Sequence, residues 1–124
     1  MLKESSSTMH PAKSTRRWFS DDYLDLIVWT DQYGVTSGFQ LCYDKDTKER
    51  ALTWTKKNGY IHERVDDGES NPSKNLTPIL IQDGICPTQE VIELFLINGT
   101  EIDYHLRSFI IDKLREYHKK QMEL

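Results

Sequence analysis

Between Asp25 and Val65 the chain offers four short stretches of β-forming residues separated only by tight polar turns. This run narrows the choice of fold more than any other feature. Strands joined by so few residues can pair only as antiparallel neighbours, because parallel pairing needs a crossover of a dozen residues or more. The first stretch, Leu24 to Thr30, directs Leu26 and Val28 one way and Ile27 and Trp29 the other. Apolar residues on both sides predict a strand covered on two faces. The turn Asp31-Gln32-Tyr33-Gly34 leads into Val35 to Tyr43, where Phe39, Leu41 and Tyr43 share a face and Gly38 marks a candidate bulge. The third stretch, Arg50 to Lys56, sets Leu52 and Trp54 against Thr53 and Thr55. Asn58-Gly59 then predicts a type I′ hairpin turn into Tyr60 to Val65.

The remainder of the chain adds flanking elements. Pro78-Ile79-Leu80-Ile81 reads as a fifth short strand or a buried extended segment. Pro87-Thr88 announces a helix with Thr88 as its cap, and Asn98-Gly99 stops it. A second helix follows, capped by Thr100, with Ile102, Leu106, Phe109, Ile110, Leu114 and Tyr117 in one stripe. Lys113 falls inside that stripe, so its stem is expected to run along the core while its amine reaches water. Tyr104 and Ile111 fall on the opposite side, at roughly 100° per residue. They are either a homodimer contact or two scattered hydrophobics. The expected fold is α+β: a four- to five-stranded antiparallel meander packed on two C-terminal helices. Residues 1–15 are expected as a flexible N-terminal tail and 16–124 as the single α+β domain.

Composition limits the classes of function. A chain of 124 residues with 29% charged and 37% hydrophobic residues fits one globular domain rather than a disordered one. The net charge of −4 gives no general attraction for nucleic acid or anionic membranes, so nucleic acid is not the expected partner. No stretch approaches the roughly 20 apolar residues that span a bilayer. The polar N-terminus lacks the apolar core of a signal peptide, and Cys42 and Cys86 form no CxxC pair. A cytoplasmic protein with two reduced thiols is expected.

The one dense polar cluster is His62-Glu63-Arg64-Val65-Asp66-Asp67-Gly68-Glu69. His62 and Arg64 share a strand face about 7 Å apart, a spacing suited to an anion or carboxylate. The plainer alternative is a cross-strand ladder with Arg64 paired to an acid on the third or first strand of the meander. The ligand-binding candidates are therefore His62, Arg64, Asp66, Asp67 and Glu69, with Trp18, Asp44 and Lys45 as neighbours. His62 with the acidic residues is also the alternative site of a small hydrolase, with a divalent metal as its option. No second histidine stands at a metal-binding spacing, so no metal is assigned, and no cofactor motif occurs. Cys42 with His62 as base is a weaker nucleophilic reading.

The segments Gly38-Phe39-Gln40-Leu41-Cys42-Tyr43-Asp44-Lys45, Ala51-Leu52-Thr53-Trp54, Arg64-Val65-Asp66-Asp67-Gly68-Glu69 and Thr77-Pro78-Ile79-Leu80 belong together as a pattern. With them the chain resembles a family of small uncharacterised bacterial proteins over roughly residues 17 to 81. The resemblance implies a bacterial, cytosolic, single-domain protein and carries over no activity, ligand or catalytic residue. The expected function is a binding or interaction module in preference to an enzyme.

Overall fold

Among the described residues seven strands follow one another across a single antiparallel sheet in the order of the chain, and two helices come after them. The structure, a computed structural model, describes residues 1–9, 15–66, 79–82 and 85–123. The strands are β1 (Lys3–Met9), β2 (Thr15–Ser20), β3 (Asp25–Thr30), β4 (Thr36–Tyr43), β5 (Arg50–Thr55), β6 (Gly59–Asp66) and β7 (Ile79–Gln82). The helices are α1 (Thr88–Asn98) and α2 (Tyr104–Met122). The expected central meander is present as β3 to β6, and the short apolar run is β7.

Of residues 1–15, expected as a flexible tail, 3–9 form β1 and 10–14 lie outside the described residues. β1 pairs along β2, so the sheet gains two strands on its N-terminal side. Leu2 is 1% exposed and donates its backbone N–H to the carbonyl of Asn98 at 2.7 Å. A Ser/Thr-rich strand shows little apolar alternation, which is why its sequence resembles a solvated segment. Arg17 completes the anchoring by reaching Glu4 on β1 and Asp103 beside α2.

One face of the sheet makes the core. Leu26, Val28, Phe39, Leu41 and Leu52 are fully buried there against Phe95, Ile110 and Leu114 of the helices. Each such side chain contributes roughly 1.5–3 kcal/mol on burial. α2 is seated on β5 and β6 by rings: Trp54 meets Phe109 edge-on at 5.4 Å, and Tyr60 stacks on Tyr117 at 5.0 Å. Lys113 behaves as its position requires, with Nζ 4.4 Å above the Trp54 ring. The prediction that β3 is covered on both faces is not met. Ile27 and Trp29 are only partly buried and stand outside the core cluster, because both helices lie on the other face.

Local chemistry explains the remaining differences. Asn58-Gly59 makes a hairpin, but the loop is Lys56 to Asn58, closing on the pair Thr55 and Gly59. Gly59 has φ +74°, whereas Asn58 keeps a negative φ, so the turn is a three-residue loop with a left-handed glycine, not type I′. Gly38 does mark an irregularity, since the β3–β4 register shifts beside Trp29 and leaves one extra residue on β4. Asp103, not Thr100, caps α2 by accepting the Leu106 N–H. Thr88 lies inside α1, and its hydroxyl bonds His118 Nδ1 instead of capping the helix.

Of the two residues weighed for a homodimer contact, only Tyr104 is at the surface. Tyr104 is 75% exposed, but Ile111 is 6% exposed and sits in the same cluster as Val91 and Phe95. α1 packs against α2, and Ile111 joins the core cluster there while Tyr104 stays at the surface.

Candidate functional site

β-pairing decides which of the polar residues meet. Leu41, Leu52 and His62 form one row across β4, β5 and β6, and Tyr43, Arg50 and Arg64 form the next. Both rows lie on the face that carries the core. His62 thus points inward at the edge of the helix-covered area and is 5% exposed. Its Nε2 and the Tyr43 hydroxyl are 2.5 Å apart, and the two rings stack with centroids 5.9 Å apart. Tyr43 Oη is also 3.6 Å from Cys86 Sγ, which arrives on the connection before α1.

These groups form a buried polar chain that holds its protons. Burial, with Cys86 next in weight, pushes the Tyr43 hydroxyl far above its ordinary pKa, so it stays protonated. Burial likewise pushes the Cys86 thiol up to about 11. A thiol that holds its proton is a poor nucleophile. Gln121 pins this connection to α2, accepting the Cys86 N–H at 2.8 Å and donating to the Cys86 carbonyl at 3.0 Å.

Beyond His62 the same face ends in charge. Arg50 and Arg64 stand directly opposite one another. Val65 N–H bonds Glu49 O at 2.8 Å, so the neighbouring pair 50/64 is of the non-hydrogen-bonded kind, in which side chains approach most closely. Like charges in such a pair are destabilising. Asp44 Oδ2 lies 3.8 Å from Arg50 Nη1. Asp44 has φ +55°, a left-handed conformation that Asp tolerates better than most residues, and its carbonyl accepts the Thr47 N–H.

The sequence candidates therefore separate. His62, Arg64 and Asp44 come together at one end of the sheet, with Asp66 closing β6 at the same end. Asp67 and Glu69 lie outside the described residues. Trp18 is not a neighbour: its row runs through Ile27, Gln40, Thr53 and Ile61 on the other face. Lys45 is at the right end but is tied to β3, donating to Asp25 Oδ1 at 3.0 Å and to the Asp21 carbonyl at 2.7 Å. Arg64 faces an arginine rather than the acid expected of a cross-strand ladder. Among the described residues no group of three or more His, Cys, Asp or Glu side chains could hold a metal ion.

Cys42 and His62 occupy opposite faces, since Cys42 shares its row with Ala51 and Glu63. Burial, followed by Glu49 and Asp25, pushes the Cys42 thiol up to about 12. The dyad weighed from the sequence does not form. Tyr43, Arg50 and Cys86 are the members that sequence reasoning missed. The first two were accessible from the β4–β5 register. Nothing in the spacing pointed to Cys86.

No helix among the described residues is long and apolar enough to cross a membrane. No family model, curated protein or solved structure matches the chain.

Proposed function

We propose that this is a cytoplasmic binding module that takes an anionic group, a carboxylate or a phosphate, at the end of the sheet carrying Arg50 and Arg64. The observation that carries the reading is the direct opposition of the two arginines on β5 and β6. Arg50 and Arg64 root two arginine side chains on one cross-strand pair, and a bound anion can accept charge-assisted hydrogen bonds from both. Arg side chains suit this role because their planar fork matches carboxylate and phosphate oxygens two at a time. Tyr43 and His62 form the rigid wall behind the pair, locked by stacking and by their mutual hydrogen bond. Two free thiols, Cys42 and Cys86, support the reducing compartment.

The test is thermal melting in inorganic phosphate and, separately, in an oligoglutamate peptide, each against chloride at matched ionic strength. A ligand at 100 times its Kd stabilises by about 2.7 kcal/mol. One of the two acids should raise Tm, and Arg64→Ala should remove the rise. A flat response to both removes the support for this reading.

A further inference from the structure

The opposite end of the sheet carries a second, unrelated surface. Two cavities of ≈ 600 and ≈ 320 Å³ open there and adjoin, sharing Trp29 and Ser37. Both sit at the end of the sheet away from the arginine pair, and the smaller opens on the face that the helices leave uncovered.

Trp29 forms the floor. It stands directly opposite Gly38, and Trp29 Cε3 is 3.3 Å from the point where a Cβ on residue 38 would sit. The indole therefore packs onto bare backbone and stays partly exposed toward the groove. Tyr33, 80% exposed, lines the larger cavity. Lys56, Lys57 and Asn58, all exposed, line the smaller one. Arg16 is the cross-strand neighbour of Trp29, but its guanidinium lies over the Trp18 ring at 5.7 Å. Lys56 and Lys57 make no ion pair among the described residues. The acid at this site, Asp31, turns Oδ1 to its own turn, accepting the Tyr33 and Val35 N–H groups at 2.8 and 3.0 Å. Lys56 and Lys57 make the rim of the smaller cavity basic on a chain of net charge −4, and Asp31 is the charged residue that lines the larger one.

Aromatic faces set beside unpaired cations are the combination that single-stranded nucleic acid uses, bases stacking on rings while phosphates meet lysine and arginine. We propose that this groove binds a short stretch of single-stranded nucleic acid, with Trp29 and Tyr33 stacking on bases and Lys56 and Lys57 meeting the backbone. A duplex is disfavoured because its bases already stack on one another. A neutral sugar would use the indole but gain nothing from the lysines. The overall negative charge removes long-range attraction, so binding depends on this patch alone.

The experiment is fluorescence anisotropy of labelled oligouridylate and oligodeoxythymidylate titrated with the full chain. Affinity should fall linearly on a log–log plot between about 50 and 200 mM salt. Tyr33→Ala should weaken binding about 5- to 150-fold, the range for loss of one stacked base. The double change Lys56→Ala with Lys57→Ala should flatten the salt slope by about 1.4, two phosphates at 0.7 each. All three positions are exposed, so melting temperature should not move, and Arg64→Ala should leave this binding intact. The proposal is overturned by failure to bind either strand at low salt, or by variants that bind as the parent does. Equal affinity for a duplex, or for a neutral oligosaccharide in place of the strand, overturns it too. So does full competition by free uridine monophosphate at equal nucleotide concentration, which would mark a mononucleotide site.

Discussion

Replacing Arg64 with Glu turns a like-charge cross-strand pair into an opposite-charge pair without touching the core. The Cβ atoms of such a pair are rooted about 5 Å apart. Unit charges about 6 Å apart in water-like surroundings interact by about 0.7 kcal/mol. Reversing one sign gives a swing of about 1.4 kcal/mol. Side-chain entropy, the exposure of Arg64 and the existing Asp44–Arg50 contact reduce this, so the expected gain is about 0.5–1 kcal/mol. Unfolding entropy is about 2.1 cal/mol/K per residue near 60 °C. For 124 residues that makes 1 kcal/mol worth about 4 °C, and Tm should rise by about 2–4 °C. Differential scanning calorimetry at low salt should show the rise, and about 1 M salt should erase most of it. The same variant should lose the response to phosphate or oligoglutamate that the parent shows. A melting temperature that falls, or one that holds steady while the anion response survives, would refute the reasoning about this pair.

Three further outcomes follow from the packing. Tyr43→Phe keeps the ring that stacks on His62 but deletes the hydroxyl between His62 and Cys86, and should cost about 1–2 kcal/mol by calorimetry. An unchanged Tm would mean the polar chain holds nothing together. Ile111→Asp should destabilise by at least about 3 kcal/mol, because it places a carboxylate among Val91 and Phe95, whereas Tyr104→Asp should stay within about 0.5 kcal/mol. Size-exclusion chromatography of a folded, stable Ile111→Asp protein would restore an interfacial role for that residue. Cys42 and Cys86 should resist a thiol-labelling reagent at pH 7 until the chain is unfolded. Both thiols hold protons in the folded state that the unfolded chain releases, so this contribution to stability is complete below the ordinary thiol pKa and is lost as pH climbs through about 11 to about 12. Urea midpoints that improve across that interval would contradict the burial argument.

Alternation and turn chemistry were enough to place β3 to β6, their antiparallel order and the two helices. These signals are local: period-two apolar residues, Asp31 to Gly34, the loop before Gly59, and the glycine after α1. They were not enough for β1, whose Ser/Thr content gives no facial contrast, or for the cap of α2, where Asp103 and Thr100 both fit the rule and the chain uses Asp103. The bare face of β3 was misread for a related reason. A strand with apolar residues on both sides does not announce which side the helices will take.

Function-bearing contacts depend on distances along the chain that no short-range pattern records. Cys86 reaches Tyr43 across 43 residues, and Gln121 reaches Cys86 across 35. Arg50 meets Arg64 because the hairpin register counts outward from Gly59, and a shift of one residue would send Arg64 to the other face. Local residue chemistry was sufficient for the strands, their order and the polar string at the end of β6. The assembled fold was needed to show that His62 turns inward, that Trp18 lies on the far side, and that Ile111 is core. Side-chain direction along a strand follows from the backbone itself, but what each direction encounters is settled by how sheet and helices pack.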